Sequence, residues 1–145
     1  MKLCETTKNI YAKYSDFLQI YLSPILLLAI RVFIGLVFLK SGLVKFSNVD
    51  SSILLFEYEY QVPHISPIFA TYSAMIFEIL CGGALILGLL SRLAALPLII
   101  MTLVIQFAVF ANPEHFYWLF LLATIAIYGG GKLSLDGILC KFCKK

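Results

Sequence analysis

Four long apolar stretches, separated by short polar breaks, dominate the chain. They run over about residues 24–46, 67–90, 92–111 and 113–131. Spans of roughly 17–25 residues cross the hydrocarbon core of a bilayer, so each stretch is a membrane-helix candidate. Each also opens on a helix-start signal. Ser23-Pro24 and Ser66-Pro67 place a capping hydroxyl before a proline at the first helical position. There the missing N–H of proline costs nothing. Ser91 is positioned to cap the third stretch. Asn112-Pro113 opens the fourth, with Glu114 in the first turn, favourable to the helix dipole.

The segments outside these stretches are also patterned. In the lead-in, residues 1–22, Ile10, Tyr11, Tyr14, Phe17, Leu18 and Tyr21 recur on one helical face, with Lys8 and Lys13 off it. This predicts an amphipathic helix at the lipid interface. The connection after the first stretch contains SSILLFEYEYQVPHISP, too apolar for a free loop. It reads either as a short interfacial helix ending at Gln61 or as an extended segment. After Gly129-Gly130-Gly131 the tail, residues 132–145, is predicted to form a second interfacial helix. Ser134 is its cap, and Leu135, Ile138, Leu139 and Phe142 share one face.

Composition agrees with the patterning. The chain is 61% hydrophobic and 13% charged, against about 45–50% and about 25% in soluble domains. The expected fold class is therefore all-α, an integral membrane four-helix bundle with short interfacial helices at both termini. The net charge of +3 is no argument for nucleic acid, because the basic residues lie beside apolar stretches. Lys2, Lys8, Lys13, Arg92, Lys132, Lys141, Lys144 and Lys145 mark one side of the membrane. The first connection carries Asp50, Glu57 and Glu59 and no Lys or Arg. The positive-inside rule then places both termini in the cytoplasm, with Lys40 and Lys45 as exceptions on the first span.

Charged residues inside apolar stretches are functional candidates by default. Arg31 lies near the middle of the first stretch and Glu78 near the middle of the second. Arg31, Gly35, Phe38, Gly42 and Lys45 form one helical stripe, and Glu78, Gly82, Leu85, Leu89 and Arg92 form another. Taking the middles of the two stretches as level predicts a buried Arg31–Glu78 pair. Such a pair either fixes helix register or holds a ligand or proton. A second pair, Arg92 with Asp136, is expected to close the cytoplasmic end. Lys45, His64 and His115 are polar candidates on the outer side; their spacing carries no metal signature. Cys140 and Cys143 form a C-x-x-C beside lysines, which favours thiol chemistry. No phosphate loop or Ser/His/Asp set is present.

These motifs together resemble the DoxX family of small four-helix membrane proteins. The resemblance rests on RVFIGLVFLKSGLVKF, on Glu78, on LGLLSRLAAL around Gly88 and Arg92, and on GGGKLSLDG with Ser134 and Asp136. It covers about residues 24–139. It implies a multi-pass protein of a bacterial inner membrane, in which residues 23–131 form the four-helix domain. The family name comes from a subunit associated with thiosulfate:quinone oxidoreduction, and other members are linked to redox homeostasis, assembly or cargo handling. FEYEYQVP resembles a proteobacterial branch associated with metal-responsive peptides. The C-x-x-C is not part of the family pattern.

The expected role is that of an accessory subunit in a quinone-linked redox or a metal and oxidative-stress system. Alternatives are a non-catalytic assembly or tethering module and thiol-disulfide redox through the C-x-x-C. No covalent cofactor is expected, and quinone is the candidate diffusible one. The expected partners are the lipid bilayer and proteins of a redox or stress complex, with self-association left open.

Overall fold

The computed structural model describes residues 11–143 except residue 110, and describes no side chains for residues 108 and 140–143. The described chain is entirely helical apart from turns. Helix α1 spans Tyr11–Ser47. Helix α2, Val49–Leu55, continues as a π-helical turn over Phe56–Tyr60. Helix α3 spans Pro67–Leu87. Helix α4, Ser91–Val104, also continues as a π-helical turn, over Ile105–Val109. Helices α5, Pro113–Tyr128, and α6, Leu135–Cys143, follow.

Helices α1, α3, α4 and α5 pack in sequential order around one core, with α1 also touching α5, so the bundle closes. Ile34 and Phe38 of α1, Leu85 of α3, Ala95 and Leu98 of α4, and Leu122 and Ile125 of α5 meet at its centre. Large apolar side chains such as Phe33, Leu80, Ile100 and Phe120 face outward. Meanwhile Arg31, Thr71, Glu78, Thr102, Gln106 and His115 are buried. Polar groups withdrawn among an apolar core, inside an apolar exterior, are the patterning of a protein solvated by lipid. α1 and α3 are long and apolar enough to cross a membrane, and Ser91–Phe107 is a shorter apolar helix. The molecule is an all-α, helical membrane bundle.

Two of the four expected starts hold. Ser66 Oγ accepts from Phe69 N–H, and Asn112 Oδ1 accepts from Glu114 N–H. Ser23 is not a start: Leu22 and Ser23 are both helical, and the lead-in from Tyr11 runs unbroken into α1. Pro24 is instead accommodated by the π-helical turn before it, where Ser23 N–H donates to Leu18 O. A proline within a helix removes one hydrogen bond and crowds the carbonyl four residues back; a wider turn relieves both. Ser91 does not cap α4 with its own side chain either; that role falls to Asp136, described below.

The connection between α1 and α3 is helical, as the first of its two readings has it. It stops at Gln61, which takes the left-handed conformation and donates its N–H to Phe56 O. Phe56 packs on Ala70 and Ala74 of α3. α2 therefore lies across one end of the bundle, the loop end. The turn after α5 and helix α6 cover the opposite, tail end. There Ser134 caps α6, accepting from Gly137 N–H while donating to Gly131 O.

Candidate functional site

The register of α1 against α3 decides which charges meet. It is set by three glycines. A β-carbon on Gly82 would lie 2.8 Å from Leu39 N and 3.0 Å from Gly35 O. One on Gly42 would lie 2.9 Å from the Cβ of Glu78. Small residues let helix backbones approach this closely. The contact puts Gly42 level with Glu78, and Arg31 level with Gly88.

The expected Arg31–Glu78 pair is therefore not formed. Gly88, where the guanidinium of Arg31 lies, is ten positions beyond Glu78, which is about 15 Å of helix. The middles of the apolar stretches are not level, because α3 extends past the end of α1 to receive α2. Glu78 is paired with Lys45 instead. Lys45 Nζ donates to Glu78 Oε2 at 2.8 Å and Oε1 at 3.0 Å, and to Ser41 Oγ at 2.8 Å. The side chains are 13% and 4% exposed, so the pair is largely withdrawn from its surroundings.

This ion pair stands on the wall of a cavity of about 690 Å³ in the loop-end half of the bundle. Apart from it, the walls are mainly apolar and aromatic: Phe38, Phe56, Tyr60, Phe77 and Trp118, with Met101 opposite. His115 contributes a buried polar edge. Its Nδ1 is 2.9 Å from Gln106 Oε1, which also accepts from Asn112 N–H at 3.0 Å. An amide oxygen only accepts, so His115 carries its proton on Nδ1. Of the outer-side candidates, Lys45 and His115 thus line one cavity. His64 does not; it is exposed in the turn before α3, in a left-handed conformation. The sequence reading missed Ser41, Gln106, Tyr60 and Trp118. Gln106, an amide within an apolar stretch, was the available signal.

Arg31 forms a separate cluster at the tail end. It is 1% exposed. Its Nη1 donates to Gly130 O at 2.7 Å and its Nη2 to Leu133 O at 3.0 Å, while Nε, also buried, has no partner. Gly88 has positive φ and leaves no room for a β-carbon beside the guanidinium. The expected Arg92–Asp136 pair is likewise absent among the described residues. Asp136 accepts from Leu90 N–H at 2.7 Å, Ser91 N–H at 2.9 Å and Ser91 Oγ–H at 3.1 Å. Its carboxylate caps α4 from another helix, and the free N–H groups of a helix start are a stronger claim on it than an exposed arginine. Arg92 lies along Gly129 instead. Burial alone would raise the pKa of Asp136. The hydrogen bonds from Ser91 and Leu90, with the charge of Arg31, outweigh it and hold the carboxyl below its usual value.

The GGGKLSLDG segment, Gly88, Ser91 and Arg31 thus form one latch that fastens the tail to the bundle. Its donors and acceptors face each other, apart from Nε of Arg31. Cys140 and Cys143 fall on α6, but their side chains lie outside the described residues. Among the described residues no three His, Cys, Asp or Glu side chains gather as a metal site would need.

The family model for DoxX matches residues 26–111, more than half of the chain. That range holds Arg31, Lys45, Glu78, Gly88 and Gln106, and so both halves of the ion pair and most of the cavity. No curated protein matches the chain, and no solved structure does.

Proposed function

The chain belongs to the DoxX family, and from that premise we propose that it is an accessory subunit of a quinone-linked membrane redox system, with the loop-end cavity as its quinone site. One observation carries the reading. A buried lysine–carboxylate pair stands on the wall of a cavity whose other walls are largely aromatic and aliphatic. Small-molecule sites occupy roughly 300–1,000 Å³ and combine apolar walls with a few placed polar groups. A quinone ring suits such a site. The Lys45 ammonium can donate to a ring carbonyl in place of Ser41, and Glu78 balances its charge. Phe38 and Trp118, packed edge to face, give the ring an apolar aromatic wall. The electron donor in this reading is a partner protein.

The location that goes with this role is a bacterial inner membrane, with the chain crossing several times and both termini cytoplasmic. The placement of Lys and Arg supports it. The loop end, with α2, then faces outward and the latch faces the cytoplasm.

The test uses the protein's single tryptophan, Trp118, which lines the cavity. In nanodiscs its emission is expected to be quenched saturably by a benzoquinone. Glu78→Gln is expected to stay folded, to weaken that quenching at least tenfold and to abolish quinone-dependent activity of the membrane system. Unchanged activity in that variant excludes the site.

A second reading, a non-catalytic assembly or tethering module, has its own support. The lead-in part of α1 carries exposed Tyr11, Tyr14, Phe17 and Tyr21, and Nη1 and Nη2 of Arg31 both fasten the tail. It predicts that quinones leave Trp118 emission unchanged and that removing residues 1–17 releases a co-purifying protein.

A further inference from the structure

The cavity is closed in one direction and open in another, and the difference follows chemistry. Toward the loop end, α2 covers it: Phe56 is buried against Ala70 and Ala74, with Tyr60 and Val62 packed alongside. Toward the bundle centre it ends on Phe38, Trp118 and Thr102. The lining side chains exposed on the helices themselves are Phe77 of α3, at 46%, and Leu93, Leu96, Ile100 and Val104 of α4, at 61%, 49%, 63% and 37%. All are apolar and border the seam between α3 and α4; the other exposed side chain of the lining, Ile65 at 44%, is apolar too and lies in the turn before α3. The seam is a mouth on the side of the bundle, at the depth of the hydrocarbon.

We infer that this seam is a lateral portal, through which the cavity takes a long-tailed isoprenoid quinone from within the bilayer, not from water. The inference rests on the quinone reading above and adds its route and the form of the ligand. The polarity gradient supports both. Charged and hydrogen-bonding groups, Lys45, Glu78, Ser41 and His115, lie at the inner wall, while the mouth is hydrocarbon. A ligand that matches this gradient enters tail last: its polar head reaches the ion pair and its apolar tail stays among Leu93, Leu96 and Ile100 or in the lipid outside. A water-borne ligand would have to cross either lipid or the α2 cover. The portal also has a soft jamb. Pro97 lines the cavity within α4 and cannot donate the usual backbone hydrogen bond, so that wall is the easier one to flex.

The experiment compares two probes on the full chain in nanodiscs, following Trp118 quenching by stopped flow. One is a benzoquinone carrying a ten-isoprene tail; the other is 2,3-dimethoxy-5-methylbenzoquinone, the same ring without a tail. The tailed probe, dosed by its concentration in the lipid, is expected to bind at least tenfold more tightly. A Leu96→Phe/Ile100→Phe double substitution, which fills the mouth, is expected to slow the tailed probe about tenfold. Ile100→Ala, which widens the mouth, is expected to speed the tailed probe, and this opposite sign keeps the test decisive if the double variant folds poorly. If quenching occurs but neither mouth variant changes the tailed probe's rate, the portal is wrong and the quinone site stands. If neither probe quenches Trp118 in the unsubstituted protein, the quinone reading fails and takes this ligand with it.

Discussion

Lys45, near the end of α1, closes a bidentate contact on Glu78, at the middle of α3, with both N–O distances at or below 3.0 Å. The pair is the one ion pair among the described residues, and its position distinguishes it from a pair formed merely by proximity of two long side chains at a surface. Removing one partner of a buried pair leaves an uncompensated charge, which costs about 3–5 kcal/mol. Lys45→Met and Glu78→Leu are each expected to fall in that range by thermal unfolding in mild detergent. The double variant is expected to recover most of the loss. The same cycle run on Arg31→Ala and Glu78→Ala should be additive within about 0.5 kcal/mol, as for residues that share no partner. Strong coupling between Arg31 and Glu78 would contradict the register described here.

That register makes a second prediction, on adjacent glycines of α3. A β-carbon on Gly82 meets the backbone of α1, which cannot give way. One on Gly83 meets nothing within 4 Å. Gly82→Ala is expected to destabilise by about 1–3 kcal/mol through overpacking. Gly83→Ala is expected to be neutral or to gain a few tenths of a kcal/mol, up to about 1, from helix propensity. Equal effects at the two positions would mean that α1 and α3 are not packed along Gly82.

How much of this was legible beforehand depended on which physical signal each feature leaves in the chain. Helix class and the cap residues Ser66, Asn112 and Ser134 leave local signals, and local reading found them; the helical end at Gln61 was one of two readings it left open. Ser23 and Ser91 carry the same cap chemistry but are overruled by their surroundings: one by helix continuing in front of it, the other by Asp136 arriving from α6. The charge partners were misjudged because the middle of an apolar stretch is a poor ruler of depth. The glycines were the better ruler. Had Gly35 and Gly42 been set to straddle Gly82, Glu78 would have fallen beside Lys45, and Arg31 beside Gly88. The cavity itself left almost no trace, since its walls are ordinary apolar residues that a membrane core needs anyway.

Asp136 ties the tail to the start of α4, and its protonation should untie it. Its folded-state pKa is depressed by the N–H groups of Ser91 and Leu90. A carboxyl of that kind contributes stability that is fully present above its unfolded value, about 3.9, and is lost as pH falls through the lower folded value. The protection factor of the α6 amides, that is, exchange corrected for its intrinsic pH dependence, should therefore be flat from pH 7 to about 5 and fall progressively below about 4. Asp136→Asn should show the reduced protection at neutral pH and lose the pH dependence of that protection. An exchange profile in the variant that still steps at acid pH would assign the transition to another group.

Arg31 holds the same latch from inside, and its geometry separates charge from shape. The guanidinium spans two carbonyls, Gly130 and Leu133, with separate nitrogens. Lysine keeps the charge but is a point donor on a flexible stem, without the planar fork. Arg31→Lys is therefore expected to retain at most one of these bonds and to leave a buried carbonyl unsatisfied, at about 1–3 kcal/mol. Arg31→Met removes the charge and both bonds together and is expected to cost more. The readout is proteolysis at Lys132, which lies between the two carbonyls: cleavage by trypsin in nanodiscs should rise severalfold in Arg31→Lys and further in Arg31→Met. Trp118 quenching by a tail-less benzoquinone should stay within twofold of the unsubstituted protein in Arg31→Lys, because the latch and the cavity lie at opposite ends of the bundle. Loss of both readouts together would mean that the two ends communicate through α1.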